Sequence, residues 1–211
     1  VIATTETKQD DVLCEWLYER NINFFRGSEE DVLKRFVDCA NHFNAEVVVR
    51  ITADDPLKDP GIIDKAIQIY LDGEYDYVSN TIYPSYPEGL DVEVFSFRSL
   101  KTADINARLA SEREHVTPFI WKDNKSFKCF NFSSEVDHSK LRWTVDRQED
   151  LKFIDKMLSL VEYNFLANYQ TLIECILKNK HILNINSGFK RNEGYLNSLD
   201  LESVEVNYEK N

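Results

Sequence analysis

Glycine is scarce in this 211-residue chain, at six residues, and the glycine-built motifs of catalysis are missing with it. There is no G-x-G-x-x-G, no Walker loop and no G-x-S-x-G, which removes the dinucleotide fingerprint, the P-loop and the nucleophile elbow from consideration. The four cysteines, Cys14, Cys39, Cys129 and Cys175, are widely scattered, with no C-x-x-C pair and no histidine at metal-ligand spacing. They read as reduced core thiols rather than as zinc ligands or a disulfide frame. No apolar run is long enough to span a bilayer, which predicts a cytoplasmic protein with no membrane partner. Positive charge is also short: 25 basic residues against 37 acidic give a net charge of −12, which argues against a nucleic-acid partner. A small anionic substrate stays open, because local arginines and a bound cation can reverse the field inside a pocket.

What is present is a core. With 43% hydrophobic and 12% aromatic residues, the chain can bury one substantial interior, and its length does not require two domains. Residues 1–5 read as the inside of a strand rather than the start of a protein, and no initiator methionine precedes them. Val12, Leu13, Trp16 and Leu17 follow at helical spacing, then residues 23–26 as a short strand closed by Gly27. Ser28, with Asp31 three residues on, predicts an N-cap, and Val32, Leu33, Phe36, Val37, Ala40 and Phe43 form the stripe of the helix behind it. The valine-rich run 45–51 predicts a central strand covered on both faces. Asp59 and Pro60 predict the start of a helix with the stripe Ile62, Ile63, Ala66, Ile67, Tyr70 and Leu71. A strand over 75–79 comes next. This alternation argues for βαβ units and a parallel sheet. Further on, 92–97 predicts a strand leading into a helix, 112–121 a helix or helical turn, 127–132 and 141–145 strands, and Leu151, Ile154, Met157, Leu158 and Val161 a helical stripe. Residues 169–177 add a helix, and the polar stretch from Ser187 reads as loop or tail.

Two acids stand directly after two of these strands. Asp54 ends the run Val49-Arg50-Ile51-Thr52-Ala53, and Asp146 ends Leu141-Arg142-Trp143-Thr144-Val145. In open α/β sheets the ligand crevice lies beyond the carboxyl ends of the strands, so carboxylates 92 positions apart in sequence could converge there and hold a cation such as Mg²⁺. An acid after a strand is equally a helix cap or a solvated turn residue. Asp91 and Glu93 alternate along the strand that follows Pro87 and Gly89, either to accept hydrogen bonds from a sugar or as the polar face of an edge. Arg113 could hold a carboxylate bidentately or pair with Glu112 or Glu114, and His115 beside it is either structural or catalytic.

The same residues carry a family resemblance. The stretches Phe25-Arg26-Gly27-Ser28-Glu29-Glu30-Asp31-Val32-Leu33, Val49-Arg50-Ile51-Thr52-Ala53-Asp54-Asp55-Pro56-Leu57, Gly89-Leu90-Asp91-Val92-Glu93-Val94-Phe95, Glu112-Arg113-Glu114-His115-Val116-Thr117-Pro118 and Leu141-Arg142-Trp143-Thr144-Val145-Asp146 resemble, in this order, the cytidylyltransferases that include acylneuraminate and Kdo cytidylyltransferases. The closest branch is that of spore-coat polysaccharide biosynthesis, whose closing motif Arg191-Asn192-Glu193-Gly194-Tyr195-Leu196 resembles. The resemblance implies a single-domain α/β, Rossmann-like nucleotide-diphospho-sugar transferase fold over residues 1–186, a mostly parallel mixed sheet flanked by helices, with a polar C-terminal segment at 187–211.

It also implies a CMP-sugar synthetase that transfers CMP from CTP to a sugar, a nonulosonic-type sugar acid, with release of pyrophosphate, for surface polysaccharide. Asp54 and Asp146 become the catalytic Mg²⁺ ligands. Gly89, Asp91, Glu93, Arg113 and His115 become the sugar-binding set, and a homodimer becomes the working form. The alternatives are a catalytically silent sugar- or nucleotide-binding domain of the same fold, and a metal-dependent glycosyltransferase using a nucleotide sugar. Two departures stand out: the family has Gly-Asp-Cys-Pro where this chain has Ala53-Asp54-Asp55-Pro56, and Thr-Pro where Arg147 and Gln148 stand. In the family a first strand, an Arg/Lys-bearing phosphate loop and a helix precede the segment that residues 1–5 resemble. The 211 residues are therefore expected to belong to a longer chain.

Overall fold

The computed structural model describes residues 1–123 and 125–208. The chain folds as two compact units, one made of Val1–Val48, Phe95–Cys129 and Gly194–Asn211, the other of Val49–Val94 and Phe130–Glu193. Among the described residues no helix is long and apolar enough to cross a membrane.

In the first unit, strand β1 (Ile2–Thr5) pairs in parallel with β2 (Phe24–Gly27), joined through helix α1 (Asp11–Glu19). Asp10 fixes the exit from β1 by accepting from the Thr5 amide at 2.9 Å and from the Thr4 and Thr5 hydroxyls, bonds that hold its carboxyl down to about 2. Arg26 closes the same turn through the Thr5 and Thr7 carbonyls. The apolar spacing in α1 does form a helix, but only Cys14 and Leu17 are buried; Val12, Leu13 and Trp16 face outward. Helix α2 (Val32–His42) buries Leu33, Val37 and Ala40 as its stripe predicts. Its cap differs from the sequence reading. Asp31 accepts from the Lys34 amide at 2.9 Å, whereas the Ser28 hydroxyl is taken by the Asp31 amide at 3.0 Å, so the helix starts one turn later.

Strand β3 (Val47–Arg50) stands at one end of a four-stranded sheet ordered β3-β5-β4-β6, with β4 (Tyr77–Ser79), β5 (Glu93–Ser96) and β6 (Cys129–Asn131). It is therefore an edge strand and not a covered central one: Val47, Val49 and Ile51 are 40%, 37% and 47% exposed on alternate positions. The doubly covered strands are β4 and β5, whose Tyr77, Val78, Val94 and Phe95 are wholly buried.

Helix α4 (Phe97–Asn106) begins at Ser96, whose hydroxyl accepts from the Ser99 amide. The helix predicted over 112–121 is two short ones, α5 (Ala110–His115) and α6 (Pro118–Lys122). Between them Val116 turns the chain at φ 72°, and Pro118 supplies the fixed φ of a new first position. The polar stretch read as loop or tail holds helix α9 (Glu193–Tyr208); residues 209–211 of that stretch lie outside the described residues. α9 is fastened by polar contacts instead of an apolar stripe. Glu202 accepts from the amide and hydroxyl of Ser111, and Ser198 bonds Glu114 and His115.

The second unit carries the larger apolar core, with Trp143, Phe153, Met157, Leu172, Ile176 and Ile182 at its centre. Helix α3 (Pro60–Asp72) starts as read, with Asp59 accepting from the Gly61 and Ile62 amides and Pro60 at the first position. Helix α7 (Gln148–Leu160) buries Phe153, Ile154, Met157 and Leu158, and α8 (Tyr169–Lys178) is capped by Asn168. Residues 141–145 do not form the predicted strand. They make one isolated parallel bridge, Glu88 with Arg142, and a line of single bonds to two neighbouring segments.

Candidate active site

Three short stretches of the second unit are stitched together by their backbones. The Glu88 amide donates to Leu141 O at 2.9 Å, the Trp143 amide to Glu88 O at 2.7 Å, and the Val145 amide to Asp54 O at 2.8 Å. Gly89 makes this approach possible. It sits at φ 103°, and a Cβ there would lie 2.6 Å from the Trp143 carbonyl carbon and 2.8 Å from the Thr144 nitrogen. The consequence is that Asp54 and Asp146, 92 residues apart, end adjacent lines of chain.

Their carboxyl groups face one another. Burial pushes the Asp146 carboxyl up, Arg142 draws it back, and the negative charge of Asp54 raises it again. Thr144 Oγ1 donates to Asp54 Oδ2 at 3.3 Å. Both acids are solvent-accessible.

Behind Asp146 lies Arg142, a buried guanidinium that the sequence reading passed over although it stands in the same motif. Its Nε donates to Asp150 Oδ1 at 2.9 Å, its Nη1 to Glu88 Oε2 at 2.8 Å, and its Nη2 to Asp146 Oδ2 at 2.5 Å and Asp150 Oδ2 at 3.0 Å. Asp150 is fully buried and also receives the Asp146 and Arg147 amides and the Asn186 side-chain amide. Those donors outweigh the penalty of burial and hold its carboxyl below the usual range. At Glu88 burial wins, and its carboxyl is raised despite Arg142 and the Asn192 amide at 2.7 Å.

On the other side of Asp54 the network continues. Buried Asp55 accepts from Thr52 Oγ1 at 2.9 Å and Lys58 Nζ at 2.7 Å; Lys58 also reaches Asp91 O, and the Asp91 carboxylate pairs with Arg191. Burial pushes Asp91 up to about 6 against the pull of Arg191 and Lys58. Five carboxylates, those of Asp55, Glu88, Asp91, Asp146 and Asp150, thus share three cations, Lys58, Arg142 and Arg191. The Ala53-Asp54-Asp55-Pro56 departure from the family pattern has a local account here, since the second acid turns inward onto Thr52 and Lys58.

This donor set fits a divalent cation. Among the described residues no cluster of three or more His, Cys, Asp or Glu is placed to hold a metal. Mg²⁺, however, needs only one or two protein carboxylates when water and phosphate oxygens complete its shell. Two facing acids with an uncompensated excess of negative charge behind them meet that requirement.

The remaining predicted residues have defined partners. Glu93 is buried and accepts from Tyr77 Oη at 2.6 Å and from Arg50. In the first unit, Arg113 forks onto Asp31 at 3.0 and 2.6 Å and onto the Asp104 carbonyl and carboxylate at 2.8 and 2.7 Å. It lines a cleft of about 480 Å³ with Glu29, Glu30, Asp31 and Glu114, whose walls are acidic. The His115 Nε2 lies 3.0 Å from Ser198 Oγ, and the ring meets Tyr195 edge-on, so α9 holds it. The structure brings Asp54, Asp146, Gly89, Asp91 and Glu93 into one unit and sets Arg113 and His115 in the other.

Comparison with known proteins gives a consistent picture. The family model described as Cytidylyltransferase matches residues 1–189. An uncharacterized protein of Methanocaldococcus jannaschii is 36% identical over 197 residues, covering 90% of this chain and 78% of that protein. The spore coat polysaccharide biosynthesis protein SpsF of Bacillus subtilis is 33% identical over 162 residues; the match covers 73% of this chain and 64% of SpsF. A solved cytidylyltransferase from Leptospira borgpetersenii shares 32% identity with a TM-score of 0.81, over 88% of this chain and 78% of that one. The α/β nucleotidyltransferase fold read from the sequence is the fold of that structure.

Proposed function

This chain belongs to the cytidylyltransferase family, and on that premise we propose that it transfers CMP from CTP to a sugar, releasing pyrophosphate, in the synthesis of a surface polysaccharide. The spore-coat polysaccharide role in the name of the Bacillus relative supports the pathway class. The sugar is proposed to be a nonulosonic-type acid. The observation that carries the reading is the convergence of Asp54 and Asp146 in front of a buried cation–carboxylate lattice.

In the reaction a sugar hydroxyl attacks the α-phosphorus of CTP, a new P–O bond forms, and the bond to pyrophosphate breaks. Asp54 and Asp146 would hold Mg²⁺, which supplies neutralisation of the phosphate charge. The chain's own groups do the positioning. Arg142 holds one oxygen of the Asp146 carboxylate and leaves the other for the ligand, and Asp150 anchors the Asp146 amide. Gly89, Asp91, Glu93, Arg113 and His115 are assigned to the sugar side. Of these, Asp91 suits a sugar hydroxyl best, with a single arginine partner and a side chain 24% exposed. Arg113 would receive a sugar carboxylate only by exchanging Asp31 for it.

The test is pyrophosphate release from CTP with a panel of sugar acids, with and without Mg²⁺. Turnover is expected for the wild type, falling about 100-fold or more in Asp54→Asn and Asp146→Asn while both keep the wild-type melting temperature. Full activity in both variants would sink the metal assignment. No pyrophosphate with any nucleoside triphosphate would favour a silent binding domain, and turnover of a preformed nucleotide sugar would favour a glycosyltransferase.

A further inference from the structure

The segment from Asn186 to Asn192 has no regular secondary structure, yet it touches the ionic lattice at four points. The Asn186 side-chain amide donates to Arg142 O and to Asp150 Oδ1, both at 3.0 Å. The Phe189 ring lies under two guanidinium groups, 5.8 Å from Arg142 and 4.6 Å from Arg147. Arg191 pairs with Asp91 and donates to Tyr86 O at 3.1 Å, while its buried Nε has no partner. Asn192, in the left-handed region at φ 54°, turns its amide onto Glu88 at 2.7 Å.

Arg142 has three carboxylates to serve, and its plane decides which of its nitrogens meets Asp146. Asp150 binds both the guanidinium and the Asp146 amide, so a shift of this pair moves the backbone and the side chain of Asp146 together. Asn186 fixes the pair at both ends, since it holds the Arg142 carbonyl and the Asp150 carboxylate with one amide group. Arg191 and the Asn192 amide fix the far carboxylates, Asp91 and Glu88.

We infer that Asn186 and Arg191 are positioning residues of the site: through Arg142, Asp150 and the flanking carboxylates they hold Asp146 in the orientation that binds a divalent cation. The inference rests on the proposed Asp54–Asp146 cation site. Neither residue touches Asp54 or Asp146: Asn186 acts through Arg142 and Asp150, and Arg191 through Asp91 and through its charge on Glu88, which Arg142 also holds. Outer-shell partners of this kind typically change metal affinity by 10- to 100-fold when removed.

The experiment measures binding of Mn²⁺ alone to the full chain by electron paramagnetic resonance, for the wild type, Asn186→Ala, Arg191→Gln and Arg191→Lys. Circular dichroism and melting temperature confirm that each is folded. Asn186→Ala and Arg191→Gln are expected to weaken Mn²⁺ by about tenfold, and Arg191→Lys, which keeps the charge at Asp91, is expected to recover part of the loss. Wild-type affinity in folded Asn186→Ala and Arg191→Gln overturns the inference. Should Asn186→Ala not fold, the two Arg191 variants decide alone. Wild-type protein that binds Mn²⁺ through Asp54 but releases no pyrophosphate from CTP would refute the proposed reaction while the affinity series still tests the positioning role. Wild-type protein whose Mn²⁺ binding is unchanged by Asp54→Asn would overturn both.

Discussion

Gly89→Ala isolates the backbone approach on which the candidate site depends. Gly89 sits at φ 103°, where a side chain is strained whatever the space around it, at a cost of about 1–3 kcal/mol. The added methyl would also meet three backbone atoms at 2.6–2.8 Å, the Trp143 carbonyl group and the Thr144 nitrogen. Backbone atoms cannot rotate away as a flexible side chain does, so the two segments must separate by several tenths of an ångström, an overpacking cost of about 1–3 kcal/mol more. Together these give about 4 kcal/mol, a large part of the roughly 5–15 kcal/mol that holds a domain folded. For a chain of this length that corresponds to a fall in melting temperature of about 8–16 °C. Urea unfolding of Gly89→Ala beside Gly188→Ala makes the assay specific. Gly188 has nothing within 4 Å of its would-be Cβ and is expected to change stability by no more than about 0.5 kcal/mol. A Gly89→Ala protein within about 1 kcal/mol of wild type would refute the close approach and with it the stitching of residues 88–89 to 143–144.

Two further substitutions probe the lattice. Arg142→Lys keeps one positive charge but cannot reach Glu88, Asp146 and Asp150 at once, so it should cost about 3 kcal/mol in unfolding free energy by leaving a buried carboxylate unpaired; a loss under about 0.5 kcal/mol would show that the fork geometry is dispensable. Asp91 makes a pH signature. Its folded pKa of about 6 lies above the ordinary 3.8, so the folded state binds that proton more tightly, and its contribution to stability is lost as pH rises from about 4 through 6. The size is about 3 kcal/mol, from roughly two pKa units at about 1.4 kcal/mol each. Asp91→Asn lacks this titration, so its stability relative to wild type should climb between pH 4 and pH 7, and parallel pH profiles for the two proteins would contradict the burial of that charge.

Local chemistry was legible where local rules decide. Asp59 and Pro60 start α3, and Phe153, Ile154, Met157 and Leu158 bury the face of α7, because capping and a 3.6-residue stripe are written within a dozen residues. Ser28 shows the limit of the same rule: a capping residue has more than one amide within reach, and here it serves Asp31 while Asp31 serves the helix. Residues 141–145 alternate like a strand but spend their backbone bonds on two different neighbours, residues 54 and 88, which no periodicity distinguishes from a ladder. Strand β3 carries the composition of a doubly covered strand and stands at an edge, because hydrophobic content reports what can be buried and not what covers it. Helix α9 went unread for the opposite reason, since polar contacts through Ser198 and Glu202 fasten it and leave no apolar stripe to detect.

The two acids of the site were visible because each ends a hydrophobic run, but what surrounds them was not. Arg142 reaches Glu88 across 54 residues and Arg191 reaches Asp91 across 100, separations over which sequence pattern carries no signal. The energetics of that surrounding lattice bear on its purpose. Burying ion pairs rarely adds stability over a well-packed apolar core, because desolvation offsets most of the attraction. Here burial raises the carboxyls of Glu88, Asp91 and Asp146, while the Arg142 fork and the Asn186 amide hold that of Asp150 down. Five carboxylates around three cations leave an excess of negative charge that a further cation would offset. Asp54 and Asp146 stand exposed beside that excess, so under the proposed reaction they are where a cation would enter and leave.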